Sequence, residues 1–169
     1  MSTPARRVAK LLKAGDLKVV FAESCTGGLV SGALTKIPGI SAYHCGGVVV
    51  YRNETKQAYL NIPAALLTDP GPVSREVAEL MAVRILQKTP EADIAASVTG
   101  HLGPNAPPAL DGIVFAGIAR RQPASRKPLV TVKQFRCRRA DSRVTRQRWV
   151  VGRVLEFLAE QLAAAKGPG

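Results

Sequence analysis

Apolar residues recur at helical spacing in some segments and form short runs of strand length in others, and these segments alternate along the chain. This pattern predicts helices interleaved with strands. An apolar stripe at helical spacing begins behind Pro4 and stops near Gly15, which predicts a first helix capped by Ser2 or Thr3. Residues 18–22 form a short apolar run of strand length. The chain therefore begins with a helix followed by a buried strand.

The same two patterns predict the remaining elements. Further strands are predicted over residues 46–51, 92–98, 112–119 and 129–135. Further helices are predicted over residues 29–37, from Asn53 as the cap to about Leu60, from Ser74 to just before Pro90, and from Asp141 or Ser142 onward. In the last helix one face would carry Val144, Val151, Leu155, Leu158 and Leu162.

Strands that alternate with helices are typical of a layered α/β sandwich. The last two strands follow each other across a polar link at residues 120–127, which predicts an antiparallel pair within a mixed sheet. A length of 169 residues with 46% apolar content is enough for one well-filled core. We expect a single domain over residues 1–165 and a flexible tail at 166–169.

Composition excludes several classes of protein. Charged residues make up 21% of the chain and aromatic residues 5%, which fits neither a disordered tail nor a coiled coil. No apolar run approaches the roughly 20 residues of a membrane-spanning helix, so we expect a cytoplasmic protein without a membrane partner. Cys25, Cys45 and Cys137 are widely spaced, which indicates reduced thiols and makes a zinc site with His44 or His101 improbable.

The formal net charge of +12 comes from one part of the chain. Residues 120–153 contain 12 Lys or Arg and one acid, whereas the remainder holds 12 basic and 11 acidic residues. Four arginines follow helical spacing there: Arg139, Arg143, Arg146 and Arg153. Such a row is either a solvated helix face or a phosphate-binding surface. Nucleic-acid binding is the less favoured alternative, because few aromatic side chains accompany the basic ones.

Ser24 is a candidate nucleophile. It lies in the segment 23–28, between a predicted strand and a predicted helix. Free backbone N–H groups at a helix N-terminus favour an oxyanion or a phosphate. The turn from Ser24 to Gly28 would thus supply oxyanion donors. Alternatively, Ser24 or Thr26 only caps the helix and the glycines only permit the turn.

Lys56 is the candidate base for this serine. Tyr51 ends a predicted strand and Lys56 lies in the first turn of the next helix, so both can converge on the same sheet edge as Ser24. A lysine accepts a proton only when its pKa falls through burial or positive potential. The alternatives are a surface lysine, or a thiol and imidazole pair of Cys25 with His44 or His101.

Six short segments of the chain form one recognisable set: Ala22-Glu23-Ser24-Cys25-Thr26-Gly27-Gly28, Ile37-Pro38-Gly39, Gly46-Gly47-Val48-Val49-Val50-Tyr51, Asn53-Glu54-Thr55-Lys56, Val73-Ser74 and Val98-Thr99-Gly100. The pairing of an ESCTGG block with a YxNxxK block is more specific than either block alone. Together these segments resemble the CinA carboxy-terminal family, also called the PncC nicotinamide-nucleotide amidohydrolases, from about Arg6 to Leu162.

The resemblance implies a three-layer α/β/α sandwich and hydrolysis of nicotinamide mononucleotide to nicotinate mononucleotide and ammonia, without cofactor or metal. Ser24 would be the nucleophile, with Tyr51 and Lys56 as proton-transfer partners. Substrate contacts would come from Thr26, Gly27, Gly28, Asn53, Thr99, Gly100, Arg139 and Arg143. The partner would be a small nucleotide, and the chain is expected to form a homo-oligomer.

Two segments depart from the family pattern. Residues 101–108 replace a glycine-rich loop with a bulkier, proline-rich one, and Cys137-Arg138-Arg139 stands where the family has a Gly-Asp-Arg turn. Both departures fall on expected substrate contacts. The alternative function is therefore a catalytically degenerate member that only binds nucleotides, or a nucleic-acid binder that uses the basic third.

Overall fold

The structure, a computed structural model, describes residues 3–123 and 125–164. The predicted tail and the candidate cap Ser2 lie outside these residues. The helices and strands are α1 Pro4–Gly15, β1 Val19–Glu23, α2 Leu29–Thr35, β2 His44–Val49, α3 Asn53–Leu60, α4 Ala64–Thr68, α5 Arg75–Lys88, β3 Ile94–Gly100, β4 Ile113–Gln122, β5 Ser125–Arg136 and α6 Arg143–Ala164.

The strands form one mixed sheet in the order β2-β1-β3-β4-β5. β1 pairs in parallel with both β2 and β3. β4 runs antiparallel to β3 and to β5. The mixed sheet and the antiparallel last pair are therefore confirmed.

Helices cover both faces of this sheet, which confirms the three-layer α/β/α sandwich. One core lies between the sheet and helices α1, α2 and α6, and includes Phe21. The other lies between the sheet and helices α3, α4 and α5, and includes Val20. These two neighbours on β1 enter opposite cores because successive side chains of a strand point to opposite faces.

The predicted N-cap residue is confirmed for α1 and is wrong for α3. Thr3 caps α1, since its hydroxyl accepts from the Arg6 N–H at 3.4 Å. The prediction that Asn53 caps α3 is wrong, because Asn53 is the first helical residue and Arg52 is the cap. The hydroxyl of Thr55 accepts from the Arg52 N–H at 3.1 Å in place of an asparagine side chain.

Two predictions for the last helix also need correction. Val144 was expected on the apolar face but is 55% exposed, because it lies in the first turn, ahead of the part of α6 that packs on the sheet. Arg146 was expected on the polar face but is buried. Arg139 precedes α6, so the row of four arginines does not lie on one helix face.

The three parallel strands place their carboxyl ends at one edge of the sheet. Ser24 follows β1, Tyr51 comes two residues after β2, and Thr99 is near the end of β3. In open α/β sheets this edge is where ligands bind. Among the described residues, no helix has the length and apolar character needed to cross a bilayer.

Candidate active site

The Ser24 hydroxyl and the Lys56 amine meet at the carboxyl end of β1. The distance from Lys56 Nζ to Ser24 Oγ is 3.2 Å, although 32 positions separate the two residues. Both side chains are buried, with exposures of 6% for Ser24 and 2% for Lys56. The predicted convergence of these residues is therefore present in the fold.

Two backbone carbonyls fix the orientation of the lysine amine. Lys56 Nζ lies 3.0 Å from the Val50 oxygen and 3.3 Å from the Tyr51 oxygen. A neutral amine has two N–H bonds and one lone pair, and carbonyl oxygens only accept. When Lys56 is neutral, both N–H bonds go to these carbonyls and the lone pair is directed at Ser24 Oγ. The serine then donates to the lysine, which is the geometry of a base.

Burial favours this neutral state. Removal from solvent lowers the pKa of Lys56, and smaller Coulombic contributions from Cys25 and then Glu54 oppose this. Glu54 is exposed and pairs with Arg52 at 3.1 Å, so it does not neutralise the lysine. No described carboxylate forms an ion pair with Lys56. A buried ammonium without a counter-charge is costly, so the pKa of Lys56 moves toward neutrality.

The thiol and imidazole alternative finds no support in the geometry. Burial raises the pKa of Cys25 to about 12, so the thiol stays protonated. His44 is engaged elsewhere, with Nε2 2.8 Å from Ser31 Oγ and Nδ1 accepting from the Gly46 N–H at 2.8 Å. Within residues 3–123 and 125–164, no three His, Cys, Asp or Glu side chains come together as a metal site.

The Tyr51 hydroxyl is hydrogen-bonded to Arg143 rather than to Ser24 or Lys56. Its side chain is 54% exposed, and its hydroxyl accepts from Arg143 Nη2 at 2.7 Å. The hydroxyl forms no hydrogen bond with Ser24 or Lys56, whereas the Tyr51 backbone carbonyl holds the lysine amine. In this structure Tyr51 orients the Lys56 amine through its main-chain oxygen and is one of the residues that line the cavity.

The turn after Ser24 is held by a buried carboxylate that the sequence analysis did not identify as functional. Glu23 is 1% exposed. Its oxygens accept from the Thr26 hydroxyl at 2.6 Å and from three backbone N–H groups of the α2 N-terminus. These N–H groups belong to Gly28, Val30 and Ser31, whose nitrogens lie 3.0, 3.1 and 2.8 Å from the Glu23 oxygens. The helix N-terminus therefore already binds an anion, the chain's own glutamate.

This arrangement corrects the prediction that the whole turn offers free donors. The Ser24 N–H donates to the Val98 oxygen and the Gly27 N–H to the Ser24 oxygen, both at 3.0 Å. Thr26, Gly27 and Gly28 do not line the cavity; the two glycines shape the turn with φ values of 63° and 94°. Cys25 lines the cavity, and no described group accepts from its N–H. The Cys25 N–H is thus a candidate donor toward the space beside Ser24.

Gln147 fixes the outer side of the same turn. Its Nε2 donates to the Cys25 oxygen at 3.2 Å and lies 3.5 Å from the Thr26 oxygen. These two oxygens belong to the turn between Ser24 and Gly27, whose central peptide would otherwise be able to rotate. The contact spans 122 positions, and no local motif in the sequence signals it.

A cavity of about 230 Å³ opens beside the serine and lysine. Four residues that were predicted as substrate contacts line it: Asn53, Thr99, Gly100 and Arg143. The Thr99 hydroxyl itself donates to the Pro72 oxygen at 2.7 Å, which ties β3 to the segment before α5. His101 also lines this cavity.

A second cavity, of about 480 Å³, adjoins the first. The two share residues 102–106 and Arg143 as walls. Arg146 pairs with Asp111 at 2.6 and 3.3 Å, which lowers the pKa of that carboxyl. Arg139 and Arg143 contact only neutral acceptors, the Pro108 and Gly103 oxygens and the Tyr51 hydroxyl. Two guanidinium groups that form no salt bridge with a described residue thus line the second cavity, together with Asp111 and Asp141.

The chain is similar in sequence to known proteins of one family. A "CinA-like protein" of Desulfotalea psychrophila is 47% identical over 102 residues, which is 60% of this chain and 24% of that protein. A "CinA-like protein" of Geobacter metallireducens is 41% identical over 122 residues, or 71% of this chain and 29% of that protein. The chain thus spans about a quarter of the length of these relatives.

Solved structures agree over nearly the whole chain. The competence/damage inducible protein CihA of Agrobacterium tumefaciens matches with a TM-score of 0.85 and 34% identity, covering 95% of this chain and 93% of that one. A CinA superfamily protein of Klebsiella pneumoniae matches with a TM-score of 0.85, 27% identity and coverages of 95% and 96%. The family model of the CinA C-terminal domain matches residues 1–162. The chain belongs to the CinA C-terminal domain family.

Proposed function

We propose that this chain hydrolyses the carboxamide of nicotinamide mononucleotide, giving nicotinate mononucleotide and ammonia through a serine acyl-enzyme. The observation that carries the proposal is the buried Lys56 amine, oriented by two carbonyls so that its lone pair is directed at Ser24 Oγ. An amide is a poor electrophile with a poor leaving group, so its hydrolysis needs both an activated nucleophile and a proton donor. One amine at this position supplies both.

Acylation requires one proton to move twice. Lys56 takes the hydroxyl proton of Ser24 as Oγ attacks the carboxamide carbon. The resulting ammonium then passes that proton to the amide nitrogen, the C–N bond breaks, and ammonia leaves. Lys56 is neutral again when the ester with Ser24 has formed.

Deacylation uses the same groups in the same order. Water takes the place of ammonia, gives a proton to Lys56 and attacks the ester carbon. The C–O bond to Ser24 breaks, and Lys56 returns the proton to Oγ. Cys25 lines the cavity and its N–H lacks an acceptor among the described residues, so this N–H would stabilise the oxyanion in both steps.

The two cavities fit the two ends of a mononucleotide. The carboxamide would lie beside Ser24 in the smaller cavity, near Asn53, Thr99 and Gly100. The phosphate would bind Arg139 and Arg143, the two guanidinium groups of the larger cavity without a carboxylate partner. No resident cofactor or metal takes part in these steps.

Several basic side chains of residues 120–153 are held by internal contacts, which weighs against nucleic acid as a partner. Arg121 donates to the Leu86, Thr89 and Ala92 oxygens at 2.7 to 3.2 Å. Lys133 pairs with Glu160 at 2.6 Å and Arg153 with Glu156 at 2.5 Å. Binding to single-stranded DNA should therefore be weak at physiological salt; tight, steeply salt-dependent binding by wild type and Ser24→Ala alike would favour the alternative function.

An ammonia-coupled assay tests the proposed function. Wild-type protein with nicotinamide mononucleotide should release ammonia and nicotinate mononucleotide in equal amounts, and the deamidated nucleotide should be the only new pyridine product. Ser24→Ala should abolish this release. Ser31→Ala is its matched control because Ser31 hydrogen-bonds His44 outside the cavity, and it should retain turnover. Binding of the nucleotide by wild type without ammonia release would show a degenerate family member and overturn the proposal.

The proposal also predicts a pH dependence of kcat/KM with an acidic limb. Only neutral Lys56 accepts the serine proton, and burial lowers the pKa of this amine. The rate should rise about tenfold per pH unit up to that pKa and level off above it. The midpoint should lie below the value of about 10.4 of a solvated lysine. A midpoint at the solvated value, in protein still folded at each pH, would contradict the role of Lys56.

Removal of the Gln147 amide should lower kcat with little change in KM. Gln147→Ala frees the Cys25 oxygen, so the turn that carries the Cys25 N–H becomes less ordered at the reacting carbon. We expect a loss of about tenfold, less than the ~100-fold typical of deleting an oxyanion donor. Gln161→Ala, on the same helix, is the control. A rise in KM at constant kcat would show a substrate contact instead.

A further inference from the structure

His101 extends β3 beyond its last assigned residue and faces the Ser24 cavity. Its N–H donates to the Ile113 oxygen at 2.9 Å, and its own oxygen accepts from the Gly112 N–H at 2.9 Å. The extended pairing with β4 therefore continues through this residue. Side chains alternate along such a segment, and Leu102 enters the core on the side of α6. His101 consequently lies on the opposite side, with Thr99, where it lines the cavity.

The imidazole of His101 is half-buried, and neither ring nitrogen has a partner among the described residues. His44 differs, because both of its ring nitrogens are hydrogen-bonded. Burial lowers the pKa of His101, with a weaker opposing effect from Asp111, so the ring is neutral at physiological pH. A neutral imidazole presents one donor and one acceptor. His101 thus offers the cavity an unused pair of hydrogen-bonding atoms.

The position of His101 along its segment indicates which part of a ligand it meets. Thr99 lines the cavity that holds Ser24, and Gly103 carries the oxygen that accepts from Arg143. An extended segment from 99 to 103 spans at most about 13 Å, the scale of a mononucleotide from carboxamide to phosphate. His101 is at its midpoint. In the proposed substrate, the group between carboxamide and phosphate is the ribose, with two adjacent hydroxyls.

We propose that His101 is a specificity-determining residue that hydrogen-bonds the ribose hydroxyls and selects nucleotides over smaller pyridine carboxamides. This inference rests on the proposed function, because the ribose is placed by the carboxamide at Ser24 and the phosphate at Arg143. A site that hydrogen-bonds a hydroxyl discriminates strongly against an analogue lacking it, because its buried polar atoms are then left unpaired.

The test compares nicotinamide mononucleotide with its 2′,3′-dideoxy analogue on wild type and His101→Leu. Wild type should prefer the natural nucleotide by about 10- to 100-fold in kcat/KM. His101→Leu should lose that preference, mainly through the natural nucleotide, while hydrolysing the analogue as wild type does. His44→Gln controls for loss of an imidazole outside the cavity. Thermal unfolding confirms that each variant is folded.

Two results would overturn the role of His101: equal turnover of both compounds by wild type, or an unchanged preference in His101→Leu. Failure of the proposed function gives a different signal, namely no turnover of either compound by wild type. Calorimetric binding of the two compounds to wild type and His101→Leu still measures the contact in that case. A preference in affinity that disappears in the variant supports it, and equal affinities contradict it.

Discussion

Lys56→Met is expected to lower kcat about 10⁴-fold, the upper range for loss of a general base. Methionine keeps much of the length of the side chain and its packing but has no nitrogen to receive the proton of Ser24. The hydroxyl would remain in place and unactivated. Ammonia release from nicotinamide mononucleotide measures the effect. Lys88→Met, at the exposed end of α5, is the control and should retain wild-type turnover.

The fall in kcat caused by Lys56→Met should not add to the fall caused by Ser24→Ala. Two residues that act as one unit give a double variant no slower than the slower single variant. A double variant of Ser24 and Lys56 should therefore show the residual rate of either single variant. If Lys56→Met keeps a tenth or more of wild-type turnover, or if the two losses multiply, the amine is not the base for this serine.

Glu23→Ala is expected to lower the free energy of unfolding by about 3–5 kcal/mol. The protein loses several charge-assisted hydrogen bonds, and hydration of the freed donors offsets part of that loss. The substitution removes the acceptor of one buried hydroxyl and three backbone N–H groups. It also releases the turn that positions Ser24, so turnover should fall with stability. Denaturant unfolding followed by circular dichroism gives the free energy.

Glu160→Ala provides the contrast for this prediction. Glu160 pairs with Lys133 at the surface, where the side chains are 45% and 44% exposed, and such pairs contribute about 0–1 kcal/mol. If Glu23→Ala costs no more than Glu160→Ala, the carboxylate does not hold the start of α2. Glu23→Gln should be intermediate, because one amide oxygen still accepts while its NH₂ group meets backbone donors.

The layers of the fold were predictable because they depend on local periodicity. Helices bury one stripe and strands one or both faces, so the order of elements follows from the order of patterns. The adjacency of β4 and β5 followed from a short polar link. The cap of α3 was missed because the side chain of Thr55, three residues on, replaces that of Asn53. Assembly as a homo-oligomer and a cytoplasmic location stay predictions.

The site was only partly predictable, for a physical reason. Ser24 and Lys56 each follow a strand, and parallel strands bring their carboxyl ends together. The hydrogen bonds of Glu23, Gln147 and Arg146 cannot be predicted from the spacing of apolar and polar residues. Glu23 was placed in the turn segment 23–28 after the predicted strand, and the partners of Gln147 and Arg146 lie 122 and 35 positions away. The signal that could have identified Glu23 is a charged residue joined directly to a buried apolar run.

The titration of the Lys56 amine tests the central claim most directly. Nuclear magnetic resonance of protein labelled with ¹⁵N at lysine Nζ follows this amine through pH, and comparison with Lys56→Met assigns its signal. Because burial lowers the pKa of Lys56, its nitrogen should lose its proton at a lower pH than every exposed lysine of the chain. A Lys56 signal that titrates together with the exposed lysines would mean an ammonium beside Ser24, and such a group cannot take the serine's proton.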